Sequence, residues 1–177
     1  SDIFLTTGPG NIFNTKTIAV GQVFNRSNKI HRKKASDILL LCVAMHRFPI
    51  DIRPLPIASQ MINYFQNQFK FAKKLKFENQ RRLRVRLYRD DYHLKQRERW
   101  ADILPEICIT PSDESYFNSL SSARIVICTY NATTFNETFA YDIPTLIFWN
   151  PTFNEIHSTA KRIFKELEEV GIFHKTS

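Results

Sequence analysis

Short apolar runs alternate along this chain with longer stretches whose apolar residues recur at helical spacing. The runs Ile38 to Ala44, Leu83 to Tyr88, Ile107 to Thr110, Ile125 to Thr129 and Thr145 to Trp149 have the length of strands, and most lack the alternation of a one-sided sheet. They predict a parallel sheet buried on both faces. Leu83-Arg-Val-Arg-Leu-Tyr88 differs, because Leu83, Val85 and Leu87 alternate with Arg84, Arg86 and Tyr88. One face of that strand is therefore polar or lies near an edge, and its arginines have somewhere to point.

Ile57, Met61, Phe65, Phe69 and Ala72 fall on one helical stripe, as do Phe153, Ile156, Ala160, Ile163, Leu167 and Val170. Both stripes predict helices packed on the sheet, the second closed by Gly171. The apolar Ile172 and Phe173 then start a run that the chain end cuts short, which reads as truncation at the C-terminus. The expected fold is α/β: a Rossmann-like parallel sheet with helices on both faces over residues 36–177, with residues 1–35 as a leading strand and linker, or the tail of a preceding domain. Residues 45–59 carry Pro49, Pro54 and Pro56 and are long for a strand-to-helix connection, a reasonable place for a ligand-gripping element.

At 177 residues with 43% hydrophobic content, the chain can bury a sizeable core. Its net charge of +8 favours polyanionic partners without choosing among them. Much of that charge lies in the runs Lys29 to Lys34, Lys70 to Lys76 and Arg81 to Arg89, for which solvated faces are the plainer reading. Cys42, Cys108 and Cys128 each sit in an apolar run without ligand spacing, so buried, reduced thiols are expected. No stretch approaches the roughly 18 apolar residues that would mark a membrane span. A cytoplasmic protein is expected, with a basic face that could rest on the inner face of an anionic membrane.

Arg124 to Tyr130 reads as a strand that breaks into the polar turn Thr129, Asn131, Thr133 and Thr134, followed by a helix and the strand Thr145 to Trp149. Such a turn offers hydroxyls and free backbone N–H groups at a helix start, where an anion binds readily. It points to a phosphate-bearing ligand. Glu137 has a competing explanation, since Thr134-Phe-Asn-Glu137 matches a capping box.

These residues, from Arg124 to Trp149 with Asn131-Ala-Thr-Thr-Phe-Asn-Glu137 and Ile143-Pro-Thr, together with Gly171-Ile-Phe-His174, resemble the transferase family of bacterial surface-carbohydrate gene clusters, which is GT-B-like. More distantly, the stretch over residues 80–174 is similar to the C-terminal halves of nucleotide-sugar glycosyltransferases and CDP-glycerol glycerophosphotransferases. The resemblance implies a glycosyltransferase-like enzyme of surface polysaccharide biosynthesis, with this chain as the half that binds a nucleotide-sugar donor. A glycan or lipid-linked acceptor would be held by an N-terminal domain. It also implies a phosphate-gripping Arg86, a polar turn of Thr129, Asn131, Thr133 and Thr134, and Glu137 on the donor ribose or sugar.

Glycosyl transfer builds negative charge on the leaving phosphate, and an arginine plus backbone N–H groups can stabilise it without a metal. Asp90-Asp91 lacks a third ligand and points to opposite sides of an extended segment, so no metal or other cofactor is expected. His46 follows the first sheet strand and is the candidate catalytic base. Trp149 and Asn150 end the last strand and could meet a base, with core packing the stronger default for the tryptophan. No dinucleotide fingerprint, P-loop or nucleophile elbow occurs. Nucleic acid is not the expected partner. A nucleic-acid-binding or scaffold α/β domain remains the alternative, resting on the two basic runs between Lys70 and Arg89.

Overall fold

The computed structural model describes residues 4–6, 17–19, 30, 32, 35–49 and 55–177. In chain order its elements are β1 (Phe4–Thr6), β2 (Thr17–Ala19), β3 (Asp37–Leu41), α1 (Gln60–Lys74), α2 (Phe77–Gln80), β4 (Leu83–Arg86), α3 (Gln96–Ile103), β5 (Cys108–Ile109), α4 (Tyr116–Ser122), β6 (Ala123–Cys128), α5 (Thr134–Ala140), β7 (Thr145–Phe148), a 3₁₀ turn (Ser158–Ala160), α6 (Lys161–Glu169) and β8 (Phe173–His174). β1 and β2 pair with each other in parallel. Most of the expected leader over residues 1–35, and Pro54 with the rest of 50–54, lie outside the described residues.

The main sheet has six strands in the order β5-β4-β3-β6-β7-β8, every pair parallel. The chain starts in the middle at β3, runs to one edge through β4 and β5, returns to the middle at β6 and runs to the other edge. This is the doubly wound Rossmann arrangement, whose ligand crevice lies where the winding reverses, outside the carboxyl ends of the two central strands. The α/β fold class expected from the pattern is therefore the observed one.

Both faces are buried, as the unalternating runs require. On one face Leu40, Cys42, Leu83, Val85, Ile127 and Phe148 pack with Ala72 of α1 and Trp100 of α3. On the other, Leu39, Leu41, Val126, Cys128 and Ile147 pack with Leu120, Phe135 and Phe164 from α4, α5 and α6. Around Trp149 the rings of Phe135, Phe164 and Phe173 lie at centroid distances of 5.9, 5.4 and 5.0 Å. Core packing, not ligand stacking, is what Trp149 does; it is 2% exposed. Ahead of β3, the Arg32 guanidinium donates to the carbonyls of Ala123 (3.1 Å), Arg124 (2.9 Å) and Asp142 (3.3 Å), tying the entering segment to the start of β6 and the end of α5.

Two expectations are corrected. Cys108 is exposed, because β5 is a two-residue edge strand that lacks the full covering given to Cys42 and Cys128. The last helix begins at Lys161 rather than near Phe153. Asn150 Oδ1 accepts from the Thr152 N–H (2.9 Å) and the Asn150 carbonyl accepts from Asn154 Nδ2 (3.1 Å), so this stretch is held as a side-chain-stapled turn instead of a helical one.

Phe164→Ala removes the ring that joins α6 to Phe135, Trp149 and Phe173. A loss of about 3–5 kcal/mol is expected from chemical denaturation, read as a lower midpoint at unchanged slope.

Candidate functional site

A cleft of about 580 Å³ opens at the carboxyl edge of the sheet. Its lining follows the ends of four strands: Leu41 and Cys42 after β3, Arg86 to Arg89 after β4, Thr110 to Ser112 after β5, and Tyr130 after β6. The first turn of α3 closes one side with Gln96, Arg97 and Glu98, and Tyr116 of α4 with Thr134 and Glu137 of α5 closes the other. The parallel winding alone brings these separated residues together.

The arginines of β4 behave differently, and the difference follows from where each sits along the strand. Arg84 lies deeper and is neutralised: Nη2 meets Glu114 Oε2 at 2.7 Å and Nη1 meets Asp37 Oδ2 at 3.3 Å. Burial works against its charge, but these two carboxylates outweigh burial and raise its pKa. Glu114 is the converse case. Burial pushes its carboxyl up, while the Ser119 hydroxyl, Arg84 and the nearby charge of Arg86 pull it below its ordinary value of 4.5.

Arg86, at the strand's end, has no carboxylate within 4.0 Å among the described residues. Its Nη1 donates to Ser119 Oγ (2.8 Å), and both Nη atoms donate to the Glu114 carbonyl (3.1 Å each). The guanidinium stands 5.8 Å from the centre of the Tyr116 ring. These neutral partners orient the cation without cancelling its charge, leaving a half-buried positive group on the cleft wall.

Five buried side-chain polar atoms among the described residues lack a hydrogen-bond partner. Three of them, Gln96 Oε1, Thr110 Oγ1 and the Tyr116 hydroxyl, belong to residues that line this one cleft. An unsatisfied buried polar atom costs about 1–3 kcal/mol, so this cleft concentrates donors and acceptors that water or a polar ligand would meet. Burial raises the Tyr116 pKa well beyond the ordinary phenol range, so its O–H stays a donor.

The residues expected from sequence divide accordingly. Arg86, Thr134 and Glu137 line the cleft. Burial raises the Glu137 pKa, and the hydroxyls of Thr133 and Tyr116 oppose it; Tyr116 does so without meeting the length and angle of a hydrogen bond. The capping-box explanation of Glu137 fails: the residue at the cap is Thr133, it makes no side-chain cap bond, and Glu137 falls one position too far along α5. Thr134 Oγ1 is bonded to the Tyr130 hydroxyl at 2.9 Å. Thr133 is exposed and outside the lining.

Thr129 is 1% exposed, and its hydroxyl is used internally: it donates to the Leu41 carbonyl (2.7 Å) and meets Tyr64 Oη (2.7 Å) and Gln68 Nε2 (3.1 Å). Asn131 faces the 150–155 turn, its Nδ2 donating to the Glu155 carbonyl at 2.6 Å. Both shape the turn from behind and neither lines the cleft. His46 is exposed and its ring lies against that of Tyr92, 3.8 Å between centres and tilted by 44°, outside the lining, although Tyr92 follows the cleft residue Asp91. Asp91 is a cap: its oxygens accept from the N–H groups of Lys95 and Gln96, 2.8 Å each. Among the described residues no cluster of His, Cys, Asp and Glu could hold a metal ion.

LIC12162 family transferase is the description of the family that matches residues 1–177, the whole chain. The chain belongs to that transferase family. No curated protein matches it. None of the helices among the described residues is long and apolar enough to cross a membrane.

Sequence reasoning on this transferase missed Gln96, Thr110 and Tyr116. Each is an ordinary polar residue in an unremarked turn or short helix, and only burial without a partner marks it out. Glu114→Gln tests the network that supports Arg86. Because the folded pKa of Glu114 is depressed, its contribution to stability is present above the ordinary carboxylate pKa and is lost as pH falls through the folded value. The variant should lose about 1–3 kcal/mol at pH 7, and in denaturation measured across pH the gap to wild type should narrow progressively as pH falls below the ordinary carboxylate value of 4.5.

Proposed function

We propose that the cleft binds a nucleotide-activated donor and that the protein transfers the donor's sugar, or a related unit, to an acceptor in surface polysaccharide synthesis, as the donor half of a GT-B-like transferase. The observation that carries this reading is Arg86, a cation held by neutral partners at the end of β4, beside the switch point, with no carboxylate within 4.0 Å among the described residues. Membership of a transferase family supports it.

In the transfer, the bond from the donor carbon to the phosphate oxygen breaks, and its electron pair stays on the nucleoside diphosphate. An acceptor hydroxyl forms the new bond and gives up its proton. Charge therefore grows on the phosphate oxygens, where a planar guanidinium can donate in pairs. The Tyr116 hydroxyl supplies a further donor beside it. Glu137, on the same wall as Tyr116 and not used as a capping-box residue, accepts from the Thr133 hydroxyl at 3.5 Å and keeps carboxylate lone pairs for ribose hydroxyls. The acceptor is a glycan or lipid-linked chain held outside this half, at the inner face of the membrane, and the reading needs neither a metal nor nucleic acid. His46 would act as base only by reaching the cleft from its contact with Tyr92.

Calorimetry with uridine, thymidine, guanosine and cytidine diphosphates should give saturable binding of one class. Arg86→Ala should weaken it by about tenfold or more, and Arg86→Lys should recover part of the loss. Glu137→Gln should weaken nucleotide binding while leaving the thermal midpoint in place, since no cap is lost. Indifference of the wild-type protein to every nucleotide, with steeply salt-dependent binding of an oligonucleotide, would replace this reading with the nucleic-acid one.

A further inference from the structure

Strand order divides the cleft into two flanks around Arg86. On one side, beyond β3, stand Tyr130, Thr134 and Glu137 at the end of β6; on the other, at the edge, stand Thr110 after β5 and Gln96 at the start of α3. A diphosphate bridges two chemical groups, so a pyrophosphate gripped at the middle leaves one group for each flank. The edge flank holds two of the three unsatisfied polar atoms of the cleft, and both residues are almost wholly buried, Gln96 at 1% and Thr110 at 4% exposed.

The chemistry of the edge flank is set by Asp91. Burial works to raise its pKa, but the backbone N–H groups of Gln96 and Lys95 and the Gln96 side chain outweigh it, and the carboxyl stays ionised. Gln96 Oε1 is the buried end of its amide without a hydrogen-bond partner, and the NH₂ end is the one that suits the neighbouring Asp91 carboxylate, which only accepts, although the two do not reach the length and angle of a hydrogen bond. The flank thus offers a fixed acceptor at Gln96 Oε1 and a hydroxyl at Thr110 that both donates and accepts. Arg97 approaches it too, but its Nη2 donates to the Thr110 carbonyl at 3.4 Å. Tyr92, His93 and Lys95 all hold left-handed backbone, with φ of 49°, 61° and 53°, a rare conformation for these residues. The Asp91 cap spans that strained loop, and so holds the site in place.

We infer that Gln96 and Thr110 form the subsite for the transferred unit and select one with neutral neighbouring hydroxyls, a sugar or polyol. An O–H that donates to Gln96 Oε1, beside a second oxygen that pairs with Thr110, is what such a unit presents. A phosphate or carboxylate in that place could accept from Thr110 and Arg97 but would set an oxygen against Gln96 Oε1, which cannot donate, whereas a hydroxyl satisfies that oxygen. The inference rests on donor binding at Arg86 and deepens it. Asp91 acts as a positioning residue.

The test compares, by calorimetry on the whole chain, the same four nucleoside diphosphates free and with an attached hexose or glycerol. Wild-type protein should bind the conjugate of the preferred nucleotide more tightly than the free nucleotide. Thr110→Val keeps the shape and should erase that increment, about three- to tenfold, while binding the free nucleotide as wild type does; Thr110→Ser should restore it. Gln96→Met should act in the same direction, and denaturation of each variant confirms a folded protein. A Thr110→Val protein that keeps the full increment, or that loses free-nucleotide affinity equally, overturns the subsite while leaving donor binding intact. Wild-type protein that binds no free nucleotide overturns donor binding and the subsite together.

Discussion

The crevice depends on a buried polar knot where the two central strands end. Thr129 Oγ1, one residue past β6, donates to the carbonyl of Leu41, the last residue of β3. The Tyr64 hydroxyl and the Gln68 amide of α1 close on the same oxygen, and Tyr64 also accepts from the Val43 N–H at 2.8 Å. Parallel strands that diverge at a switch point leave backbone groups that no neighbour can reach, and side chains must satisfy them. Here one threonine, one tyrosine and one glutamine do so. They fix the angle at which the chain leaves β3 for α1 and β6 for α5. Every cleft residue after those strands inherits its position from that angle.

The knot also explains why a cysteine at the mouth is chemically quiet. Cys42 lines the cleft, yet its Sγ donates to Gln68 Oε1 at 3.4 Å, and burial pushes its pKa far above the ordinary thiol value. Cys128, on the other central strand, is likewise raised by burial, to about 12. Neither thiol can supply a thiolate at neutral pH, so covalent catalysis through sulfur has no candidate at the switch point. The polar groups left to the cleft are the Arg86 cation, hydrogen-bonding side chains and the Glu137 carboxylate, a set that suits the donor binding proposed above.

Much of the architecture was legible because burial on two faces writes itself into sequence as apolar runs without alternation. All five predicted strand cores are observed, and the one alternating run, Leu83 to Tyr88, is the strand whose second face carries the arginines. Arg86 was legible for the same reason: a charge at alternate positions of an otherwise buried strand needs a cleft or a partner. What the pattern could not express is which arginine finds the partner. That depends on Glu114, 28 residues further on, reaching Arg84 with its carboxylate and Arg86 only with its carbonyl. The polar turn after β6 misled in a similar way. Its polar side chains look equivalent in sequence, but Thr129 faces the knot, Asn131 the neighbouring turn, and only Thr134 the cleft.

The contrast between Arg84 and Arg86 bears on why such a strand carries two arginines. A single half-buried guanidinium beside an apolar sheet would be drawn to any nearby carboxylate, and Glu114 is in range of both. With Arg84 bound to one carboxylate oxygen and Ser119 to the other at 2.6 Å, both oxygens of Glu114 are engaged and held facing Arg84 and Ser119. Ser119 then presents its lone pairs to Arg86, and Glu114 its backbone carbonyl. The first arginine thereby keeps the acid away from the second, which retains its charge and its fixed direction at the edge of the cleft. Preorganised charge of this kind needs no rearrangement as an anion forms beside it, and that is the form of electrostatic help a transferase can use.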